Sequence, residues 1–306
     1  PRGVMESRRL PGSGAGPSPD RMMIGSEGTL GFITRAWMRL QDRPRFRASA
    51  SVSFPGMSQA CAAVRAISQA GLFPSNCRLL DPMEASVNGV GDGNTALLVL
   101  AFESADHSLE AWIGRALELV ADHAGSWDQQ AVDRSLAGAA AGDDEGEHRK
   151  GAAGEWRNQF LRAPYYLNYL TPAGINADTF ETAITWDRFD DFYETVRNRV
   201  SSAVREATGS EGVLSCRFTH VYPDGPAPYF TVYARGSRSG DMAAMLERWR
   251  DIKLAANAAV VEAGGTVTHH HAVGRDHRHR GYDAQVPPLF ASAYSAARGA
   301  LDPDGM

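Results

Sequence analysis

Apolar and polar positions follow one plan in the first half of the chain. Residues 46–54 alternate as a half-buried strand does, and further strands are predicted at 77–81 and 95–104. A helix is predicted over 57–71, where Gly71 follows the last apolar position. Residues 107–125 predict a second amphipathic helix, with its buried stripe at Leu109, Trp112, Ile113, Ala116 and Val120.

The second half repeats this plan. A strand is predicted at 180–187 and a helix at 188–207, and residues 213–236 predict a hairpin that turns at "YPDGP". A long helix over 241–265 then leads into a strand or strand-like loop at 265–279. Helices that cross one face of an antiparallel sheet make the fold class α+β, resembling two split βαβ units joined into one sheet.

Three segments depart from this plan. Residues 32–40, "FITRAWMRL", alternate as a further strand, whereas residues 135–155 are mostly small or charged and predict a mobile linker. The chain begins at Pro1 in a Gly/Pro/Ser-rich loop and stops at "ALDPDGM" after a helical run. We therefore expect the sequence to be a fragment of a longer protein.

Charge and composition exclude some classes of partner. The 31 Lys and Arg residues against 36 Asp and Glu residues give a net charge of −5, and the basic residues are scattered, which argues against nucleic-acid binding. The longest apolar run, 96–102, is too short to span a bilayer, and no signal peptide is visible. Three cysteines without paired spacing favour a reduced, cytoplasmic setting.

Five of the nine histidines fall within residues 269–279. On an extended segment His269 and His271 face one side and His270 the other, so a regular strand does not bring all three to one ion. A zinc site using His269, His271, His277 and His279 has no supporting carboxylate or cysteine pattern, and we expect no metal. A solvated polar run and a pocket whose imidazoles move protons for a ligand stay open.

Other polar residues occupy positions where a ligand is one explanation. The turn "GSEGTLG" at 25–31 lacks the GxGxxG spacing and the P-loop lysine, and it is either a tight turn or a close backbone approach to a planar ligand. Tyr229 lies on a predicted sheet face, where an aromatic side chain is common. Arg78 and Arg217 lie inside strand-like segments and suggest an anionic ligand such as a phosphate or carboxylate.

Several of these stretches together carry a family resemblance. "IGSEGTLGFIT" resembles the signature near the end of the FAD-binding domain in vanillyl-alcohol-oxidase (PCMH-type) flavoproteins. "NCRLLD", "FETAITWDR", "SCRFTHVYPDGPAPYF" and "GGTVTHHHAVGR" follow in the order and approximate spacing of the alkylglycerone-phosphate synthase family and its bacterial relatives. The resemblance covers the chain apart from residues 135–155.

The resemblance implies two domains and a cofactor. Residues 1–43 would be the end of the FAD-binding domain, and residues 44–306 would form the FAD-linked oxidase C-terminal cap, an antiparallel sheet with helices on one face. FAD is the implied cofactor, and the residues that match the family's FAD-binding turn are Gly25, Ser26, Glu27, Gly28, Thr29, Leu30, Gly31 and Ile33.

The resemblance also implies an activity, the exchange of the acyl group of acyl-dihydroxyacetone phosphate for a fatty alcohol in ether lipid synthesis, without net oxidation. Tyr229 matches the family's acid/base at the substrate carbon, and Arg78 matches a residue that the family requires. The implied site is completed by His269, His270 and His271, which line it, and by Arg217, which we assign to substrate binding.

One position departs from the family pattern. Asn168, in "YLNY", stands where the family carries an arginine expected to hold the substrate phosphate, and Arg162 lies six residues earlier. A guanidinium displaced by nearly two helical turns is not equivalent, although both residues remain candidates for substrate binding.

This departure keeps other functions open. It favours an FAD-linked oxidase or dehydrogenase of a small 2-hydroxy acid or alcohol as the alternative activity. A binding module without catalysis is a third hypothesis. We expect a small-molecule or lipid substrate and no nucleic acid, and peripheral membrane contact, membrane association of a cytoplasmic protein and a homodimer stay open.

Overall fold

Seven strands can be traced in a computed structural model of the chain, which describes residues 3–12, 16–140, 161–162, 165–237 and 240–305. They are β1 (Phe46–Phe54), β2 (Asn76–Leu80), β3 (Ala96–Ser104), β4 (Ser126–Trp127), β5 (Ile175–Glu181), β6 (Val213–Val221) and β7 (Pro226–Arg235). All of them join one antiparallel sheet in the order β4-β1-β3-β2-β6-β7-β5.

Helices of very different length accompany the sheet. In chain order they are α1 (Pro19–Met23), α2 (Met57–Gln69), α3 (Pro82–Val87), α4 (Glu110–Ala121), α5 (Gln129–Ala140), α6 (described over 165–170), α7 (Phe189–Thr208), α8 (Met242–Glu262), α9 (Asp283–Gln285) and α10 (Pro288–Leu301). The α+β class is therefore confirmed. None of the helices within the described ranges is long and apolar enough to cross a membrane.

The two predicted units meet at the centre of the sheet. β1, β3 and β2 form one half and β6, β7 and β5 the other, and β2 joins β6 where Leu80 pairs with Arg217. Successive side chains along each strand point to opposite faces of this sheet. One face packs against α2, α4 and α7 and forms the main core. Its fully buried side chains include Phe54, Phe102, Phe218 and Phe230.

The opposite face, here called the open face, carries the polar strand residues. Paired positions place Glu181 beside Tyr229, Tyr229 beside Arg217, and Arg217 beside Leu80, so one row crosses four strands. The helices are not confined to the other face as predicted, because the short helix α3 packs on the open face through a small cluster of Leu80, Ala85, Leu97 and Val99.

Asp81 ties α3 to β6 and α7. Its Oδ1 accepts the N–H of Glu84 at 2.7 Å as the N-cap of α3, and its Oδ2 accepts the Tyr193 hydroxyl at 2.9 Å and the Cys216 N–H at 3.0 Å. Burial raises the pKa of Asp81 to about 6, against the opposing effect of the Glu84 N–H, the Tyr193 hydroxyl and the charge of Arg197. The ionised carboxylate therefore lowers stability increasingly as the pH rises from 3.8 towards 6.

The strand predicted at 32–40 is wrong. Residues 31–45 have no regular secondary structure, and Phe32, Trp37 and Leu40 are exposed by 88%, 70% and 89%. Alternation alone does not make a strand, because the backbone N–H and C=O groups need a neighbouring strand, and none of the described strands pairs with this segment.

The predicted mobile linker is wrong at its beginning. Residues 135–140 continue α5, and Ser135 is buried and accepts the N–H of Ser49 in β1 at 3.0 Å. Small residues fit here because the helix lies close against the edge of the sheet. Residues 141–155, the remainder of the predicted linker, lie outside the described residues.

The strand predicted at 180–187 occurs five residues earlier. β5 pairs with β7 from Ile175 opposite Arg235 to Glu181 opposite Tyr229, and the chain then leaves the sheet for a 3₁₀ turn at Trp186–Arg188. The aromatic residue at 186 anchors that turn, because its Nε1 donates to the carbonyl of Tyr222 at 3.0 Å.

The hairpin between β6 and β7 leaves no room for a side chain at Gly225. A Cβ there would overlap the carbonyl group of Ile184, which is backbone and cannot move aside. We expect Gly225→Ala to lower the free energy of unfolding by roughly 1–3 kcal/mol, measured by urea denaturation. The matched control is Gly114→Ala in α4, where no described atom lies within 4 Å. That variant should be neutral or more stable, and equal losses in both would contradict the steric account.

Candidate active site on the open face

Tyr229 lies at the centre of the open face. Its hydroxyl donates to Thr179 Oγ1 at 3.0 Å, and the guanidinium carbon of Arg217 lies 3.9 Å from its ring centroid, within the range of a cation–π interaction. The edge strand that carries Thr179 is fixed by Lys253, whose Nζ donates to the Thr179 carbonyl at 2.8 Å and lies 2.9 Å from Asp178 Oδ2. Tyr229 is thus held at its hydroxyl by Thr179 and at one ring face by Arg217 while it remains half-buried.

Two arginines, Arg78 and Arg217, share the open face with this tyrosine. Arg217 Nη1 donates to Glu84 Oε1 at 2.6 Å, and Ser215 donates to the other oxygen of Glu84 at 2.5 Å. Arg78 is half-buried on neighbouring β2, and burial, followed by repulsion from Arg217, lowers its pKa to about 10. The Nε of Arg217 is buried and, among the described atoms, has no hydrogen-bond partner. This part of the face therefore suits an anionic group.

The histidine segment is a loop rather than a strand, the other form that the sequence predicted. Gly264 ends α8 with φ of 83°, and Gly265 packs so closely that a Cβ would lie 2.6 Å from the Phe192 ring. Thr266 then bonds to the strand-end segment after β5, where its carbonyl accepts the Thr182 hydroxyl at 2.5 Å. The segment is an irregular loop, because these contacts hold its backbone beside the sheet rather than within the ladder.

Glu181 organises this loop. Its side chain is fully buried, and its Oε1 accepts four donors: the Thr268 hydroxyl at 2.6 Å and the backbone N–H groups of His269, His270 and His271 at 2.8, 2.6 and 2.6 Å. Three successive N–H groups converge on one oxygen, so the backbone curls around the carboxylate. The predicted alternation of the three imidazoles between two faces is therefore wrong.

The same contacts control the ionisation of Glu181. Burial alone would raise its pKa, but the hydrogen bonds from the His271 N–H, the Thr268 hydroxyl and the N–H groups of His269 and His270 outweigh burial and lower the pKa to about 2. The carboxylate is therefore ionised over the whole neutral range.

This depressed pKa predicts an acid-dependent loss of stability. Because the folded-state pKa lies below the usual 4.5, the carboxylate stabilises the fold fully above about pH 4.5, and the contribution is lost as the pH falls towards 2. Its size is on the order of 3 kcal/mol. The difference in unfolding free energy between the wild type and Glu181→Gln should shrink between pH 5 and pH 2 in urea titrations. A difference independent of pH would contradict this account.

The imidazoles surround the tyrosine and the carboxylate. The His271 ring stands perpendicular to the Tyr229 ring at a centroid distance of 5.4 Å, and His270 Nδ1 lies 2.7 Å from Glu181 Oε2. His269 Nε2 lies 3.1 Å from the Tyr222 hydroxyl. Burial lowers the pKa of His271, so its imidazole is neutral at neutral pH and suited to accept a proton.

His220 belongs to this cluster although the sequence reasoning did not select it. A register shift between Phe218 and His220 interrupts the β6–β7 ladder, so the histidine turns towards the open face instead of following the buried parity of Phe218. Its ring lies 5.3 Å from that of His269 and 5.1 Å from that of His270. Burial, and then repulsion from these two histidines, lowers its pKa. Strand alternation alone places His220 in the core, and only the bulge reveals it.

Two groups of side chains have donor atoms within 4.8 Å of one another, the spacing of metal sites: His220, His269 and His270, and Glu181, His270 and His271. His277 and His279, considered from the sequence, belong to neither group. His277 is buried and its Nδ1 lies 3.2 Å from Asn257 Oδ1. The 2.7 Å between His270 Nδ1 and Glu181 Oε2 is a hydrogen-bonding distance.

The glycine-rich turn docks against the same loop. Glu27 accepts the backbone N–H of Val273 at 2.6 Å and that of Gly274 at 3.1 Å, immediately after the histidines. The Thr29 hydroxyl donates to the Ser26 carbonyl at 2.6 Å and lies 2.5 Å from the Tyr294 hydroxyl of α10. The turn is thereby placed next to the open-face cluster.

The backbone of this turn fits a planar polar ligand. Gly25, Gly28 and Gly31 have φ of 86°, 80° and 153°, and Glu27 also has a positive φ, of 50°. No described atom lies within 4 Å of a Cβ placed at Gly25 or Gly28, so both are open to a close approach. Leu30 is buried and fixes the turn, whereas Ile33 is 65% exposed. The open backbone of this glycine turn therefore fits FAD.

Arg162 and Asn168 do not join this cluster. Both side chains are exposed, near and in α6, and the described residues show no hydrogen bond or ion pair between either and the open face. Burial, then the charge of Glu84 and least of all Tyr166 of α6, raise the pKa of Tyr233 on the open face. The assignment of Arg162 and Asn168 to substrate binding thus remains a prediction.

Known proteins resemble this chain in sequence. The profile of the family described as "FAD linked oxidases, C-terminal domain" matches residues 43–306. The alkyldihydroxyacetonephosphate synthase of Caenorhabditis elegans is 25% identical over 299 residues, which cover 90% of this chain and 47% of that protein. A probable mitochondrial D-lactate dehydrogenase of Danio rerio is 32% identical over 125 residues, 40% of this chain and 25% of that protein.

A solved structure shares the fold. An alkyldihydroxyacetonephosphate synthase superposes with a TM-score of 0.66 at 16% identity, covering 94% of this chain and 49% of that chain. The chain thus spans about half the length of the curated synthases that it matches.

Proposed function

The chain belongs to the family of FAD-linked oxidases, C-terminal domain, whose cofactor is FAD, and on that premise we propose that its protein is an alkylglycerone-phosphate synthase-like enzyme. The reaction would exchange the acyl group of acyl-dihydroxyacetone phosphate for a fatty alcohol. The observation that carries the proposal is the row Glu181–Tyr229–Arg217 on the open face, flanked by His220 and the histidine loop. Matches to synthases over 90% of the chain support it.

The proposed reaction balances without an external oxidant. The bond between C1 and the acyl oxygen breaks, and its electron pair leaves with the fatty carboxylate. A new bond forms between C1 and the alcohol oxygen, and the alcohol loses its proton. FAD, when bound, would supply an electron acceptor beside C1, with no net oxidation over the exchange.

The residues of this chain divide the remaining work. The Tyr229 hydroxyl is the acid/base at C1, because it is half-exposed at the centre of the face and its ring is fixed by Arg217. Neutral His271, whose ring stands perpendicular to that of Tyr229, exchanges a proton with the tyrosine during its acid/base cycle. Arg78 and Arg217 attract the anionic part of the substrate. The glycine turn at 25–31 would hold FAD beside them.

Domains and surroundings follow from the same proposal. Residues 1–43 would complete an FAD-binding domain and residues 44–306 would cover the flavin. Because the proposed substrate is fatty, the proposal includes a cytoplasmic protein that contacts the membrane peripherally. It also includes a homodimer. Nucleic acid is not a proposed partner.

The test uses the complete gene product that contains this chain, purified with FAD. It is incubated with hexadecanoyl-dihydroxyacetone phosphate and radiolabelled hexadecanol, and the labelled ether product and released fatty acid are quantified. One fatty acid released per ether formed, with the flavin oxidised at the end, supports the exchange. No ether product would contradict it.

The asparagine at position 168 supports a second candidate function. Without the family's phosphate-binding arginine, a small 2-hydroxy acid oxidised by FAD is the alternative, and segments of D-lactate dehydrogenases match 26–40% of the chain. That coverage is well below the 90% of the synthases, so this function fits less well. Anaerobic bleaching of the flavin by D-lactate, without ether formation in the first assay, would favour it.

A further inference from the structure

We propose that Glu181 is a positioning residue that fixes the tautomer of His270 and thereby makes the other ring nitrogen of His270 the acceptor for the proton of the incoming alcohol. The inference deepens the proposed function and rests on it for the identity of the alcohol. The assignment of the His270 tautomer depends only on contacts within this chain and not on the substrate.

The first step is the unequal use of the two carboxylate oxygens. Oε1 accepts four hydrogen bonds, from Thr268 and three backbone N–H groups, so its position and that of the loop are fixed. Oε2 is buried and has no aligned hydrogen-bond donor among the described residues, although His270 Nδ1 lies 2.7 Å away. His269 Nδ1, at 3.6 Å, is more distant. His270 is therefore the side chain placed to satisfy Oε2.

The second step is the chemistry of the carboxylate. An ionised carboxylate only accepts hydrogen bonds, so an imidazole nitrogen beside it is favoured when it carries the proton. In the neutral His270 ring the proton then lies on Nδ1, and Nε2 has the free lone pair. A neighbouring carboxylate that fixes the tautomer also stabilises the imidazolium formed when Nε2 takes a proton.

The third step is the position of the His270 ring. Its side chain is 38% exposed, so the ring can be approached by a ligand on the open face. The ring lies 6.4 Å from that of Tyr229 and 5.1 Å from that of His220, in the middle of the cluster. An alcohol oxygen that forms its bond to C1 beside Tyr229 therefore has His270 within reach of its O–H proton.

Glu181→Gln separates this role from simple loop support. The amide oxygen still accepts at the Oε1 position, whereas the amide nitrogen donates towards His270 Nδ1 and favours the opposite tautomer, with the proton on Nε2. We expect kcat for the exchange to fall by roughly 10²-fold, with KM for the acyl substrate unchanged, since a positioned acid or base contributes on this scale. The matched control is Glu262→Gln, which removes a carboxylate from an exposed ion pair with Arg199.

The tautomer is read directly by long-range ¹H–¹⁵N spectra of the ¹⁵N-histidine-labelled holoenzyme, with His270 assigned by its loss in His270→Gln. A proton on Nδ1 in the wild type and on Nε2 in Glu181→Gln, in a protein whose circular dichroism shows it folded, supports the proposal. The same tautomer in both proteins, or a loss of kcat no greater than in Glu262→Gln, overturns it. A wild type without exchange activity would refute the proposed function, while the tautomer switch would still decide the role of Glu181.

Discussion

Phenylalanine in place of Tyr229 is expected to reduce the rate of acyl-for-alkyl exchange by about 10²–10⁴-fold, the range for loss of a positioned acid/base. The ring remains under the Arg217 guanidinium and beside His271, so the variant loses the hydroxyl and its bond to Thr179 but not its packing. The free energy of unfolding should fall by only about 1 kcal/mol. Steady-state kinetics of the FAD-loaded gene product and urea denaturation measure the two effects.

The matched control is Tyr233→Phe, four residues further along β7 on the same face. It removes the same atom from a half-buried tyrosine that the proposed chemistry does not use. Activity should be retained in this variant. A Tyr229→Phe protein that keeps a rate comparable to that of Tyr233→Phe would remove the tyrosine from the mechanism.

Truncating Glu84 is expected to be the most destabilising change on the open face. Its side chain is 5% exposed and that of Arg217 is 12% exposed, and they form an ion pair at 2.6 Å that Ser215 completes. Glu84→Ala leaves the Arg217 guanidinium buried without its counter-charge and close to the cation of Arg78. Breaking a buried pair in this way costs about 3–5 kcal/mol, a large part of the 5–15 kcal/mol that stabilises a typical domain.

Urea denaturation measures this loss, and an exposed pair provides the control. Glu103 pairs with Arg47 at 3.4 Å with its side chain 44% exposed, so Glu103→Ala should cost less than about 1 kcal/mol. Exchange activity should also fall in Glu84→Ala at a temperature where it is folded, because Arg217 is no longer held above Tyr229. Equal losses of unfolding free energy in the two variants would show that the buried pair stabilises the fold no more than the exposed one.

The sequence determined those elements whose pattern is local. Alternation in β1, the apolar run of β3 and the hairpin signal of β6 and β7 are local patterns, as are the apolar stripes of α2, α4, α7 and α8. The positions of these elements were therefore predicted to within a few residues. The parity of β7 also places Tyr229 opposite the buried Phe230, which is why a candidate on the polar face was visible without coordinates.

Tertiary structure decided the features that depend on partners distant in the sequence. Residues 32–40 alternate but have no described strand to pair with, so they are not a strand. Residues 135–140 lack large apolar side chains yet continue a helix, because Ser135 meets β1.

Some residues of the candidate site could be identified from the sequence, and others only from the fold. The histidines were visible as a sequence cluster, but Glu181 was hidden inside a predicted strand, 88 residues before His269. Only the fold brings three consecutive N–H groups to that carboxylate, and only a bulge turns His220 towards them. Residue type and local period therefore identified which groups carry the chemistry, whereas the long-range hydrogen bonds to one buried carboxylate decided how they are arranged.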